Sequence, residues 1–217
     1  MKITQPPQAI IAVKTIMHSA MRVITAVRMP RLANTLKYTG MLWMAISFSL
    51  SAKPLQFELQ DHHLGQVTEQ NWPDKYLLIG VGYTSCPDVC PTTVIDLATA
   101  VNQLGEQAKQ VVPIFISVDP KRDSVENIDL YVKYFDPKMV GLTGTQAQIK
   151  LAAKNLKATY GYSLEGKPIY PPLPDRYEVY HSAYIYFYGP NRELIDVFGY
   201  GEGGVNISES IKALLNE

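Results

Sequence analysis

A chain of 217 residues with 47% hydrophobic and 18% charged side chains holds enough apolar material for one packed core and too little charge for a disordered chain. Its 20 Lys plus Arg balance 20 Asp plus Glu, so no cationic excess exists to neutralise phosphates, and nucleic-acid binding is set aside. The only two cysteines, Cys86 and Cys90, exclude a multiply stapled disulfide scaffold; a bridge between them closes too small a loop to restrict the unfolded chain much, which leaves chemistry as the better reason for the pair.

Arg28, Arg31 and Lys37 precede an apolar run, Met41 to Leu50, that is followed by the small residues Ser51 and Ala52. That is the order of a secretory signal, and the run is well short of the ~20 residues a membrane-spanning helix needs. Residues 1–52 are read as a targeting segment, a signal peptide or short anchor, with Met29 a more usual start. No cysteine follows the run, so lipid attachment there is excluded. Residues 53–217 are then the folded domain. Leu55, Phe57 and Leu59 alternate with polar residues, Asp61 to Gly65 turns the chain, and Val67 resumes the apolar face: a hairpin. Tyr76 to Tyr83 is an apolar strand, and Val94, Leu97, Ala98, Val101 and Leu104 line one face of a helix closed by Gly105. Val111 to Val118 reads as a strand buried on both faces. Asp123, three residues before Glu126, reads as a helix start, and Thr145 with Gln148 as a capping box, with the short strand Met139 to Thr143 between those two helices. Tyr160 to Tyr180, rich in Gly and Pro, reads as a long functional loop. His181 opens a strand that pairs across Gly189-Pro190-Asn191 with Glu193 to Phe198, and Asn206 to Leu215 is a last amphipathic helix. Strands and helices in alternation, with a late hairpin, indicate an α/β layered domain with a mixed sheet flanked by helices.

Cys86-Pro87-Asp88-Val89-Cys90-Pro91 falls where a strand feeds a helix. Unpaired first-turn N–H groups and the helix dipole favour thiolates there, below the free thiol pKa of about 8.5. Residues four apart share a helix face, so the two sulfurs converge on one ion or, when oxidised, on each other. Two thiolates suit copper(I) or zinc, and an imidazole as third ligand completes a trigonal site typical of copper. His18 lies in the targeting segment and His62 and His63 in a turn, which makes His181 the candidate, although from spacing alone a satisfied strand histidine is the plainer reading. Asp88 reads as ordinary dipole complementation, Asp123 as a cap, and Lys121 and Arg122 as solvated cations.

Gly82-Tyr-Thr-Ser-Cys86-Pro-Asp-Val-Cys90-Pro91, Phe115-Ile-Ser-Val-Asp119-Pro-Lys-Arg-Asp123, Tyr134-Phe-Asp-Pro137, Gly141-Leu-Thr-Gly144 and His181-Ser-Ala183, in that order, resemble the SCO/SenC copper-chaperone family from about Leu55 to the C-terminus. The resemblance implies a thioredoxin-like fold, copper bound by Cys86, Cys90 and His181, and a role in assembling the binuclear copper centre of cytochrome c oxidase from a periplasmic or membrane-anchored position. It also implies thiol-disulfide chemistry at the same cysteines. The implied partners are the copper-bearing oxidase subunit and a thioredoxin-like reductant or another copper chaperone; a monomer is the default. One departure is Tyr180, where the family often has an acidic residue before its histidine; Asp119 is the substitute considered as an outer-shell partner for the imidazole. The competing reading is a metal-free thiol-disulfide oxidoreductase or peroxide reductase in which Cys86 attacks and Cys90 resolves. Redox thioredoxins normally carry C-x-x-C, which favours copper over this rival.

Overall fold

In the computed structural model, which describes residues 53–87 and 89–216, the first alternating stretch forms a hairpin of β1 (Glu58–Asp61) and β2 (Gly65–Thr68). Period-two burial puts Leu59 and Val67 inside, and the Asp61 carboxylate closes the turn by accepting the His63 and Leu64 N–H groups at 2.8 Å. The two apolar runs become β3 (Tyr76–Gly82) and β4 (Val111–Ser117), parallel neighbours, with β5 (Val140–Thr143) parallel to β4 on its far side. The late hairpin, β9 (Ile185–Tyr188) with β10 (Leu194–Phe198), adds antiparallel to β3, and β1 adds antiparallel to β5. The result is one seven-stranded mixed sheet in the order β10-β9-β3-β4-β5-β1-β2.

Helices cover both faces because the central strands are apolar on both. Leu78 and Phe115 face α1 (Val89–Gln103), α2 (Val125–Phe135) and α4 (Gly204–Leu215), joining Val94, Leu97, Ile128, Val132 and Ile211 in one core. Leu77, Ile79, Val81, Ile114 and Ile116 face the other way, onto Ile149, Ala152 and Leu156 of α3 (Gln146–Leu156). The Thr145–Gln148 capping box forms as expected, with both reciprocal hydrogen bonds present. This is the mixed, helix-flanked layering read from the sequence pattern, and it is the thioredoxin-like architecture that the resemblance implied. Among the described residues no helix is long and apolar enough to cross a membrane. The targeting-segment reading of residues 1–52, with His18, and the dipole role of Asp88 lie outside the described residues.

Three local features differ from the sequence reading. Tyr160–Tyr180 is not a structureless loop: β6 (Tyr160–Leu164) pairs with β7 (Lys167–Ile169) on one side and β8 (Glu178–His181) on the other, a second, antiparallel sheet. Its first turn, Glu165-Gly166, takes positive φ at both positions, 51° and 75°, the backbone that a two-residue hairpin requires. His181 accordingly ends β8 and does not open β9. The cap of α2 is Ser124, whose hydroxyl accepts the Asn127 N–H at 3.1 Å; Asp123 is buried and points its carboxylate elsewhere.

Candidate metal centre

β3 ends at Gly82, and a turn closed by the Cys86 N–H donating to the Tyr83 carbonyl at 3.4 Å carries Cys86 to the threshold of α1. Cys90, the second residue of α1, is wholly buried against Val94 and Phe115, whereas Cys86 is half-buried. The Cys90 N–H donates to the Cys86 sulfur at 3.4 Å, a use of a first-turn donor that has no helical acceptor. Gly82 is what admits this packing: a Cβ there would lie 2.6 Å from Phe115 Cζ and 2.7 Å from Cys90 Sγ.

His181 arrives from the other sheet. Its Nε2 stands 3.1 Å from Cys90 Sγ and its Nδ1 3.1 Å from the Ser182 carbonyl. The tautomer with Nδ1 protonated donates to that carbonyl and leaves the Nε2 lone pair on the sulfur side. The ligand atoms of Cys86, Cys90 and His181 all lie within 4.8 Å of one another, and no other set of three or more His, Cys, Asp or Glu among the described residues converges so. An ion with metal–sulfur bonds of about 2.3 Å holds its ligands no more than about 4.6 Å apart, so the cluster closes on one ion with little movement.

Burial governs the electrostatics. Desolvation, with the neighbouring Cys86 side chain second, pushes the Cys90 thiol well above the ordinary range, which corrects the expectation of a helix-lowered thiolate at that position: loss of water around a fully buried sulfur outweighs the dipole. Desolvation likewise lowers His181, partly offset by its bond to Ser182. Both shifts favour the neutral forms of Cys90 and His181, the forms in which the S–H can donate to the Nε2 lone pair. Tyr83, edge-on to the imidazole at 6.0 Å between ring centroids, is raised to about 12 by burial and then by Cys86.

Asp119 does not orient the imidazole. It is fully buried, accepts the Tyr177 O–H at 2.5 Å and pairs with Arg122 Nε, while the imidazole uses Ser182. Tyr180 is exposed and lies across the sheet over Gly161, where a Cβ would come 2.2 Å from its hydroxyl. His62 and His63 stay in the hairpin turn, His63 Nε2 3.3 Å from the Asp129 carboxylate. Lys121 and Arg122 are not simply solvated: Lys121 donates to the Leu173 and Pro174 carbonyls at 2.9 and 2.7 Å, and the Arg122 guanidinium lies 4.3 Å from the Tyr177 ring centre and 5.5 Å from that of Tyr83. Sequence reasoning missed Tyr83, Thr84 and Tyr177 around the site. The available signal was two adjacent capping types, Asp123-Ser124, of which one helix needs one.

The SCO1/SenC family model matches residues 50–216. The mitochondrial SCO1 homolog 1 of Arabidopsis thaliana is 38% identical over 135 residues, 62% of this chain and 38% of that protein. Protein sco1 of Schizosaccharomyces pombe is 36% identical, covering 71% of this chain and 58% of its own, and the human mitochondrial SCO1 homolog is 34% identical, covering 73% and 52%. The chain thus spans about half the length of the curated relatives it matches. Among solved structures, Arabidopsis thaliana ScoI with copper bound is 32% identical with a TM-score of 0.66, covering 76% of this chain and 99% of that one. Apo Sco1 of Thermus thermophilus is 33% identical with a TM-score of 0.66, covering 76% and 93%.

Proposed function

The chain belongs to the SCO1/SenC family, and from that premise we propose that it carries copper as cargo on the sulfurs of Cys86 and Cys90 and on Nε2 of His181. The observation that carries the proposal is the convergence of those three ligand atoms, delivered by two different sheets, within 4.8 Å. Their chemistry supports copper(I), since two thiolates and an imidazole are a soft set suited to trigonal coordination. Loading displaces protons from the thiols, and burial makes Cys90 hold its proton until a cation takes its place. No proton competes at Nε2, because burial keeps His181 below its ordinary pKa of 6.5. Cys86, the less buried sulfur, is the side from which a partner's ligand reaches the ion. The recipient in this reading is the binuclear copper centre of cytochrome c oxidase, on its copper-bearing subunit, and the basic-then-apolar order of residues 28–52 supports export of a working domain at 53–217 to the periplasm or to a membrane surface facing it. Formation of a Cys86–Cys90 disulfide, with two electrons passed to an oxidised dithiol partner, removes both thiolates and ends copper binding.

The test is anaerobic copper(I) titration of the reduced protein against a competing chelator, with His181→Ala in parallel. Stoichiometric binding that outcompetes the chelator and weakens by about tenfold or more in the variant is the expected result. Tight binding indifferent to the substitution removes His181 from the site. A second reading is favoured by the unequal burial of the sulfurs. Cys86 attacks a partner disulfide and releases one partner thiolate; Cys90 then attacks the Cys86 sulfur and releases the other, so the pair's two electrons reduce the partner without a metal. Weak copper binding by the wild-type protein makes this the leading reading.

A further inference from the structure

Asp123 does not cap α2, yet it is only 1% exposed, and its hydrogen bonds lead to the segment that carries Cys86. Its Oδ2 accepts the Thr84 N–H at 2.9 Å and the Ser117 hydroxyl at 2.6 Å, and its Oδ1 accepts the Thr84 hydroxyl at 2.5 Å. A carboxylate that grips both the main chain and the side chain of one residue fixes where that peptide sits and how it is turned, and bonds to an ionised acceptor away from water are the strong ones. Thr84 is two residues before Cys86. The turn's own closing bond, from the Cys86 N–H to the Tyr83 carbonyl, is long at 3.4 Å, and the clamp on Thr84 adds a second, shorter set of bonds just ahead of it.

The loop that supplies Asp123 also holds the element that carries His181. The Tyr162 hydroxyl of β6 donates to the Val118 carbonyl at 2.6 Å, the Tyr177 hydroxyl donates to Asp119 at 2.5 Å, and Lys121 donates to the carbonyls of Leu173 and Pro174 ahead of β8. Ligands from two sheets are therefore set against each other through one short loop, Val118–Asp123. We propose that Asp123 is a positioning residue: by clamping Thr84 it fixes the Cys86 sulfur at the distance from Cys90 and His181 that a single ion spans, and so sets copper affinity. The inference rests on the copper reading above and extends it to a residue that touches no metal.

Thr84→Val keeps the side-chain shape and removes the hydroxyl donor, Thr84→Ser keeps the donor, and Asp123→Asn keeps the shape and removes the charge. Each reduced protein is checked for native secondary structure by circular dichroism. Copper(I) affinity is then measured by chelator competition, and the rate of Cys86 alkylation by iodoacetamide is followed by peptide mass spectrometry on the metal-free protein. Thr84→Val is expected to lower copper affinity about tenfold, as removal of an outer-shell partner does, and to speed Cys86 alkylation, with Thr84→Ser close to wild type on both. Wild-type affinity and alkylation rate in folded Thr84→Val overturn the proposal, as does a Thr84→Ser protein as impaired as Thr84→Val. If Asp123→Asn does not fold, the Thr84 pair decides alone. If wild-type protein binds no copper, the functional reading falls, while the alkylation rates still decide whether the clamp positions Cys86.

Discussion

A methyl group on Gly82 would meet Phe115 Cζ at 2.6 Å and Cys90 Sγ at 2.7 Å, whereas one on Gly80, also facing α1, would meet Thr93 Cγ2 at 2.9 Å and Leu97 Cδ1 at 3.1 Å. Both alanine substitutions overpack the same helix–sheet contact and are expected to destabilise by about 1–3 kcal/mol in urea unfolding. Only Gly82→Ala displaces a ligand sulfur, so only it should also weaken copper binding. Equal copper affinities for the two variants would break the link between that glycine and the site. Proton linkage acts at the same scale. Burial raises the Cys90 thiol, so each copper bound releases its proton throughout the neutral range, whereas burial lowers His181 and leaves it neutral above about 6.5. Apparent copper affinity should therefore climb as pH rises above about 6.5, by about tenfold per unit for each thiol proton displaced. His181→Ala should lower that line without changing its slope; a shallower slope in the variant would mean that the histidine gives up a proton on loading.

The second sheet is the element on which the imidazole depends, and it is fastened to the core by a buried hydroxyl. Tyr162 Oη donates to the Val118 carbonyl at 2.6 Å and accepts from Gln146 Nε2 at 2.9 Å. Tyr162→Phe leaves that carbonyl without its donor, a loss of about 1–3 kcal/mol. Hydrogen exchange is expected to quicken in β6 and β8 while α4, packed on the opposite side of the main sheet, keeps wild-type rates; uniform quickening would instead mark a global effect. This sheet was also the least legible part of the sequence. Its strands run three to five residues, its prolines sit in edge strand β7 and in the connection to β8, and short strands paired to one another leave no long period to read. Glu165-Gly166 between two short β-prone runs was the one local clue. The main-sheet strands and their helices were legible because each buries a face at its own period, and so was the cysteine pair at the strand-to-helix turn. Asp123 was misread because two adjacent capping residues are locally equivalent, and a tertiary contact to Thr84 decides between them. His181 stands 91 residues from Cys90 in the chain, so its place in the site follows from topology, which the resemblance supplied and spacing did not.

At the scale of the folded domain, a metal bound as proposed would cross-link its two sheets: Cys86 and Cys90 belong to the β3–α1 junction of the large one, and His181 to the end of the small one. An ion that binds only the assembled cluster stabilises the fold by mass action, by about 2.7 kcal/mol at a free concentration a hundredfold above its dissociation constant. For a domain of this size that corresponds to a rise in melting temperature of roughly 5–10 °C. The reduced protein with copper(I) should show it in anaerobic thermal melts. The oxidised protein should not, since a Cys86–Cys90 disulfide offers no thiolate and its small loop adds little stability of its own. His181→Ala should keep a smaller part of the rise, because an ion held by two sulfurs four residues apart no longer joins one sheet to the other. A rise of equal size in the oxidised protein would place the bound copper away from the cysteines, with the His62–His63 turn, whose rings lie 4.8 Å apart, the first place to substitute.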